Sequence, residues 1–266
     1  MSSSPAAETL LETRRDGDLL WVRLNDPARA NALSPALVRE LTAVYWRDLR
    51  AEGIRAVLLA GNGRHFSAGA DLEHLRALRD AEIEQNRAES EKLRVLFESI
   101  LRQEALTIAL VQGACVAGGC GLATACDFVI AAENATFLYS EVRIGFVAAL
   151  VATYLPLRVR GSDLRELLLF PRPLAAERAR EIGIANRVVP AEGLDRAGEE
   201  LASAVLANAS GESIARTKRL LLDVLGRPLD DALARAAEAN AQARGTDDCK
   251  HGIATFLETK KPPQWR

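Results

Sequence analysis

The sequence predicts an α/β fold, a spiral of repeated strand-strand-helix units followed by a helical C-terminal region. Short apolar runs ending in turns recur from Leu10 to Val189, and helical stripes follow most of them. Two of those turns consist of small residues, His65-Phe66-Ser67-Ala68-Gly69-Ala70-Asp71-Leu72 and Val116-Ala117-Gly118-Gly119-Cys120-Gly121. From Arg158 onward strands become scarce, Val188-Val189 being the last clear one, and the pattern turns helical. The recurrence is architectural and carries no sequence repeat.

Residues 10–13 and 19–24, around Asp16-Gly17-Asp18, predict a hairpin. Ser34-Pro35 supplies an N-cap and a first-turn proline for a helix whose stripe is Leu37, Leu41, Val44 and Leu49, ending before Gly53. Residues 54–60 predict a buried strand, and after the first small-residue turn a helical region spans 72–103. A strand at 108–111, the second turn, a short helix around 122–126 and a strand at 128–132 follow. Helices are then expected at 162–169, 175–182, 194–207, 213–225, 229–243 and 249–259. The division predicted is a core over 1–195 and a helical region over 196–266.

The chain has 266 residues, 48% hydrophobic and 26% charged, which suits a folded globular protein. Lys+Arg 34 against Asp+Glu 36 gives a net charge of -2, so the total argues for neither a nucleic-acid nor an anionic membrane partner. Met1-Ser2-Ser3-Ser4-Pro5 lacks the basic and apolar regions of a secretory signal, so a cytoplasmic location is expected. No charge occurs from Ala105 to Cys126, long enough to span a bilayer, but Gln112 and four glycines interrupt it. A buried strand, turn and helix is the expectation there. Cys115, Cys120, Cys126 and Cys249 have no histidine beside them to complete a metal site and are expected to be reduced thiols.

Each small-residue turn follows a strand and leads into a helix, so its backbone N–H groups can face a ligand oxygen. With the isolated carboxylate Glu141 they suggest an oxyanion hole with one base, and hence enolate chemistry. A phosphate loop is disfavoured because no Lys-Ser/Thr ends the second turn. His65 lies too close to Ser67 to serve it as a base, which argues against a hydrolase triad.

The order Asn25-Asp26-Pro27, Asn31-Ala32-Leu33, Phe66 to Leu72, Gly113, Ala117-Gly118-Gly119, Cys126-Asp127, Ser140-Glu141-Val142 and Gly145 resembles the crotonase superfamily, the enoyl-CoA hydratases and isomerases. The resemblance runs from about Leu19 to the C-terminus. It implies a crotonase-like spiral with a C-terminal trimerisation region, a homotrimer or a dimer of trimers, an acyl-CoA thioester substrate, and no metal or other cofactor. It places the oxyanion donors at the Ala70 and Gly118 N–H groups and a catalytic acid at Glu141. A second acid used by hydratases of the family falls on Gly121, which has no side chain. One carboxylate can shuttle a proton between two carbons, whereas two can hold water between them. Hydration of a 2-enoyl-CoA is the leading expectation, with isomerisation by Glu141 alone and non-catalytic acyl-CoA binding as alternatives. Gly121→Glu is expected to raise hydration of a short enoyl-CoA if the missing carboxylate limits water activation.

The resemblance also assigns substrate contacts. Arg29 is expected at a phosphate, the Ala68 backbone at adenine, and Phe256 against coenzyme A of a neighbouring subunit. Asp71, Leu72, Gly119, Gly121, Phe146 and Ala149 are expected to border the acyl site, with Leu75 and Leu150 as further walls. Ala148-Ala149 replaces the proline-containing pair that commonly starts a helix there. Arg143 is a candidate partner for a substrate carboxylate.

Overall fold

A computed structural model describes residues 9–265. The stretch Met1–Pro5, read above as lacking a signal, lies outside the described residues. Among the described residues nine strands, β1 (Leu11–Asp16), β2 (Leu19–Leu24), β3 (Ala56–Gly61), β4 (Leu106–Val111), β5 (Ala114–Val116), β6 (Phe128–Ala132), β7 (Thr136–Leu138), β8 (Leu174–Ala175) and β9 (Arg187–Val189), form two sheets. The larger has the order β1-β2-β3-β4-β6-β9 and is parallel apart from the β1–β2 hairpin. The smaller has the order β5-β7-β8, with β5 parallel and β8 antiparallel to β7.

The apolar runs become the centre of the larger sheet because both faces are covered. Every residue of β3 and β4 is buried. Alternate residues part to opposite sides: Val57, Leu59, Ala109 and Val111 join Leu37, Leu41, Leu96 and Ile100, whereas Leu58, Leu106, Ile108 and Leu110 join Leu194, Leu201 and Leu206. The first set covers the face under α1 (Pro35–Tyr45), α3 (Ile83–Arg102) and α4 (Gly118–Ala125). The second lies under α8 (Leu194–Asn208), so the boundary expected at 195/196 falls inside a helix that belongs to the core.

Several boundaries differ from expectation for local reasons. The first helix is capped by Ser34, whose Oγ accepts from the Leu37 N–H at 3.3 Å, but it stops at Tyr45. The residues after it form turns, in which Asp48 accepts from the Ala51 N–H at 3.0 Å and Gly53 takes a positive φ. The helical region 72–103 divides into α2 (Leu72–Leu78) and α3, because Glu82 restarts the helix with a reciprocal Gln85 capping box. The helix expected near 122–126 begins at Gly118, directly on the second turn. Strands β5, β7 and β8, of two or three residues each, are too short for a period to register. After β7 come a 3-10 helix (Glu141–Ile144), α5 (Val151–Tyr154), α6 (Gly161–Leu169) and α7 (Ala176–Glu181). Ala148-Ala149 precedes α5 without belonging to a helix.

The charge-free stretch 105–126 is β4, β5 and α4, and among the described residues no helix is long and apolar enough to cross a membrane. Cys115, Cys120 and Cys126 are buried and free, and burial pushes the Cys126 thiol up to about 12. The C-terminal helices are α9 (Gly211–Asp223), α10 (Leu229–Arg244) and α11 (Asp247–Thr259). Lys218 fastens α9 to the core, its Nζ donating to the Ala105 carbonyl at 2.8 Å and pairing with Asp127 at 2.6 Å. Asp127 in turn accepts from the Thr107 N–H and hydroxyl, which accounts for the carboxylate after Cys126. No residue of α10 or α11 is buried, although Leu229, Leu233, Ile253, Phe256 and Leu257 are apolar.

Candidate active site

Three short parallel segments set the site. Ser67 bridges to Cys115, and Cys115 of β5 pairs with Phe137 of β7, so the three residues lie side by side in register. Ala70 and Gly118 each come three positions further along, and Glu141 four positions past Phe137. All three leave the same edge of a parallel array at the carboxyl ends of its strands, where α/β proteins gather ligand groups. The motifs, far apart in sequence, are thus brought together by register.

The two turns are laced backbone to backbone. Gly69 has φ +81°, and a Cβ there would lie 2.5 Å from the Val116 carbonyl oxygen. A Cβ on Gly119 would lie 2.8 Å from the Ser67 carbonyl oxygen, so this approach also requires glycine. Ser67, fully buried, donates from Oγ to the Asn31 carbonyl at 2.8 Å and accepts from the Gly69 N–H at 3.2 Å. Asn31 is the hub: its Nδ2 donates to the carbonyls of Asn62, His65 and Phe66, and its Oδ1 accepts from the Asp26 N–H. Sequence reasoning placed Asn31 in a motif but gave it no role. Ala117 adopts φ 45°, ψ -115°, a strained setting for alanine, with its N–H donating to the Leu138 carbonyl at 2.7 Å. That leaves Gly118 at the first position of α4. Among the described residues, neither the Ala70 nor the Gly118 N–H has a hydrogen-bond partner. His65 accepts from the Ala114 N–H at 3.0 Å and so braces the first turn.

Glu141 opens the 3-10 helix, which Gly145 ends in a left-handed conformation, and its carbonyl accepts from the Phe146 N–H at 3.0 Å. Tyr139, two residues before Glu141, is buried. The carboxylate Oε2 is buried and has no partner among the described residues. Burial raises the Glu141 pKa from its ordinary value; the backbone amides of Glu141 and Ser140 oppose this and are outweighed. A carboxyl group so placed holds a proton more readily than a solvated one, as proton transfer requires.

One turn along α4 from Gly118, the position of Gly121 is closed in. A Cβ on Gly121 would lie 2.7 Å from Phe97 Cζ, and Phe97 meets Tyr154 edge to face with ring centroids 6.1 Å apart. The Tyr154 hydroxyl donates to the Gly121 carbonyl at 3.0 Å. A glutamate at 121 therefore has no room while Phe97 stands there, which corrects the expectation that Gly121→Glu alone adds a working acid. Arg158 secures the other end of α4, its Nε donating to the Thr124 carbonyl at 2.9 Å and its second nitrogen to that of Cys126. No spacing in the sequence points to Phe97 or Arg158.

The remaining assigned residues are dispersed around this centre. Arg29 bonds Asp26 at 2.7 Å and lies 3.6 Å from Asp71, with about half its side chain exposed. Asp71 caps α2, accepting from the Glu73 and His74 N–H groups. The Ala68 N–H donates to the Ala30 carbonyl at 2.8 Å, so its carbonyl is the group left to meet a ligand. Leu72, Phe146 and Ala149 are exposed, and Phe256 is exposed on α11. Arg143 does not point toward Glu141's partnerless oxygen; its guanidinium donates to the Pro171 carbonyl.

Parallel strands that end in two free N–H groups and one half-buried carboxylate make an arrangement that can hold charge on a carbonyl oxygen. The model of the enoyl-CoA hydratase/isomerase family matches residues 14–266, and the chain belongs to that family, within the crotonase superfamily. A Thermus thermophilus protein named "Putative enoyl-CoA hydratase" is 42% identical over 94% of this chain and 98% of its own. The "Short-chain-enoyl-CoA hydratase" of Clostridium acetobutylicum is 29% identical over 93% of this chain and 94% of its own. Among solved structures, an enoyl-CoA hydratase of Mycobacterium smegmatis superposes with a TM-score of 0.89 at 29% identity, covering 97% of this chain and 99% of the other. Another from Shewanella pealeana gives 0.88 at 30% identity, covering 96% of each.

Proposed function

We propose that the chain hydrates a 2-enoyl-CoA thioester through an enolate, with Ala70 and Gly118 as oxyanion donors and Glu141 as the acid–base. The observation that carries this is the shared register of Ser67, Cys115 and Phe137, which delivers two unpartnered N–H groups and a buried carboxylate to one edge. Glu141 takes a proton from water as the water oxygen bonds to the β-carbon. The double-bond electrons move to the thioester oxygen, where the two N–H groups hold the charge. Glu141 then returns the proton to the α-carbon, and no external cofactor enters the balance. Its raised pKa favours that return.

The closed space at Gly121 favours a second reading, enoyl-CoA isomerisation, in which Glu141 takes an α-proton and returns it to the γ-carbon. Incubation with crotonyl-CoA and with a 3-enoyl-CoA in heavy-oxygen water separates the two. Oxygen uptake into crotonyl-CoA is the expected result. A shifted double bond without uptake selects isomerisation, and neither product overturns both.

Arg29 is proposed as a phosphate contact that exchanges an aspartate partner for the ligand, and the Ala68 carbonyl as an adenine contact. Asp71 and Gly119 support the oxyanion turns, while Leu72, Phe146 and Ala149 flank the acyl group. The exposed apolar residues of α10 and α11, Phe256 included, are proposed to meet other copies of this chain in a trimer or a dimer of trimers. A cytoplasmic location accompanies this reading.

A further inference from the structure

A cleft of about 220 Å³ lies between α3, α5 and α9, with Leu101, Leu150 and Leu222 in its wall and Phe97 and Tyr154 in its floor. Glu98, held by Arg94 and Arg102, forms part of its polar rim. The same two aromatic rings face Gly121 on their other side: Phe97 by the 2.7 Å approach to its virtual Cβ, Tyr154 by the hydrogen bond to its carbonyl. Phe97 and Tyr154 therefore form a partition one residue thick. On one side is α4, whose first residue presents the free Gly118 N–H; on the other is the apolar cleft.

Gly118 and Gly121 are three positions apart on α4 and share a face. A chain extending along that face from a thioester held at Gly118 passes a position with no side chain and meets the Phe97 ring. The ring is packed in place, 4% exposed and braced edge to face on Tyr154. Leu150, which lines the cleft, lies nine positions past Glu141.

We infer that Phe97 sets the acyl-chain length accepted at the proposed site, its ring packed directly on Gly121 and standing between α4 and the leucine-walled cleft behind it. The inference rests on the thioester reading above. Shortening the side chain opens a way from Gly121 to the cleft, and a longer acyl group gains apolar contact that the native chain denies it.

Calorimetric binding of saturated butanoyl-, octanoyl- and dodecanoyl-CoA, which undergo no turnover, tests this on the wild-type chain, Phe97→Leu and Phe97→Ala. In the wild type, affinity should stop rising by the octanoyl chain. In Phe97→Ala the dodecanoyl-to-butanoyl affinity ratio should rise at least tenfold, as expected for burying about two more methylenes, with Phe97→Leu between. Thermal melts identify folded variants, and Phe97→Leu together with the wild-type profile decides the matter if the alanine variant does not fold. Wild-type affinity that climbs steadily to dodecanoyl-CoA overturns the inference, as does an unchanged ratio in a folded variant. Failure of every thioester to bind the wild type overturns the thioester reading itself, which is a different result.

Discussion

At the residue scale the proposed acid–base is Glu141, with one carboxylate oxygen buried and without a partner among the described residues. Glu141→Gln keeps the shape and removes the proton acceptor, so turnover of an enoyl-CoA should fall by about 100-fold or more while thioester affinity stays nearly constant; steady-state kinetics and calorimetry together check this. Burial raises the Glu141 pKa, so the folded chain retains a proton that the unfolded chain releases at lower pH. Stability contributed by this group therefore falls as pH rises through the interval between the unfolded and folded values. Glu141→Gln should accordingly melt above wild type at neutral pH, and the gap should close below the ordinary carboxylate range. In the pH–rate profile the acidic limb should lie above the ordinary glutamate value and be absent from the variant. Glu141 was legible in the sequence through the family motif around it. Its exposed or buried state was not, because it sits on a 3-10 turn that no periodicity announces.

At the scale of elements, the paired turns depend on contacts that leave almost no room. Gly69→Ala places a methyl group 2.5 Å from a carbonyl oxygen at a positive φ, so it should cost about 1–3 kcal/mol or more in denaturant unfolding and lower kcat. Asn31→Ala strands several buried carbonyls, and its loss should be on the order of 3 kcal/mol. A folded Asn31→Ala enzyme with unaltered kcat would show that the clamp does not govern donor placement. The turns themselves were readable, since small residues after an apolar run carry a strong signal. Strands β5, β7 and β8 were not, because two or three residues show no alternation, and it is the β5–β7 register that brings Gly118 and Glu141 to one edge. The Phe97–Gly121 contact joins α3 to α4 across 24 positions of sequence, a distance at which residue pattern says nothing of packing.

At the scale of the whole molecule, α10 and α11 carry no buried residue, yet they present Leu229, Leu233, Ile253, Phe256 and Leu257 to solvent in the single chain. So much exposed apolar surface points to association. Sedimentation equilibrium should give three or six times the chain mass, and a monomer at micromolar concentration would remove the proposed role of Phe256. Lys218→Ala breaks the tie between α9 and the start of β4, and should lower thermal stability more than substitution of an exposed lysine such as Lys250. The layered architecture was legible because buried strands and helical stripes differ in period. The domain boundary was not, since α8 has the pattern of its C-terminal neighbours and is assigned to the core only by what lies beneath it.

The proposed donors at Ala70 and Gly118 belong to the main chain. No exchange other than to proline deletes either of them, so any other point mutation silences the site at those positions only by bending the polypeptide. Chemistry and selectivity are thereby separately adjustable: the side chain at 97 can be rebuilt for new acyl groups while the proposed donors pass unchanged from variant to variant. A library confined to position 97 should yield altered substrate ranges far more often than dead enzymes.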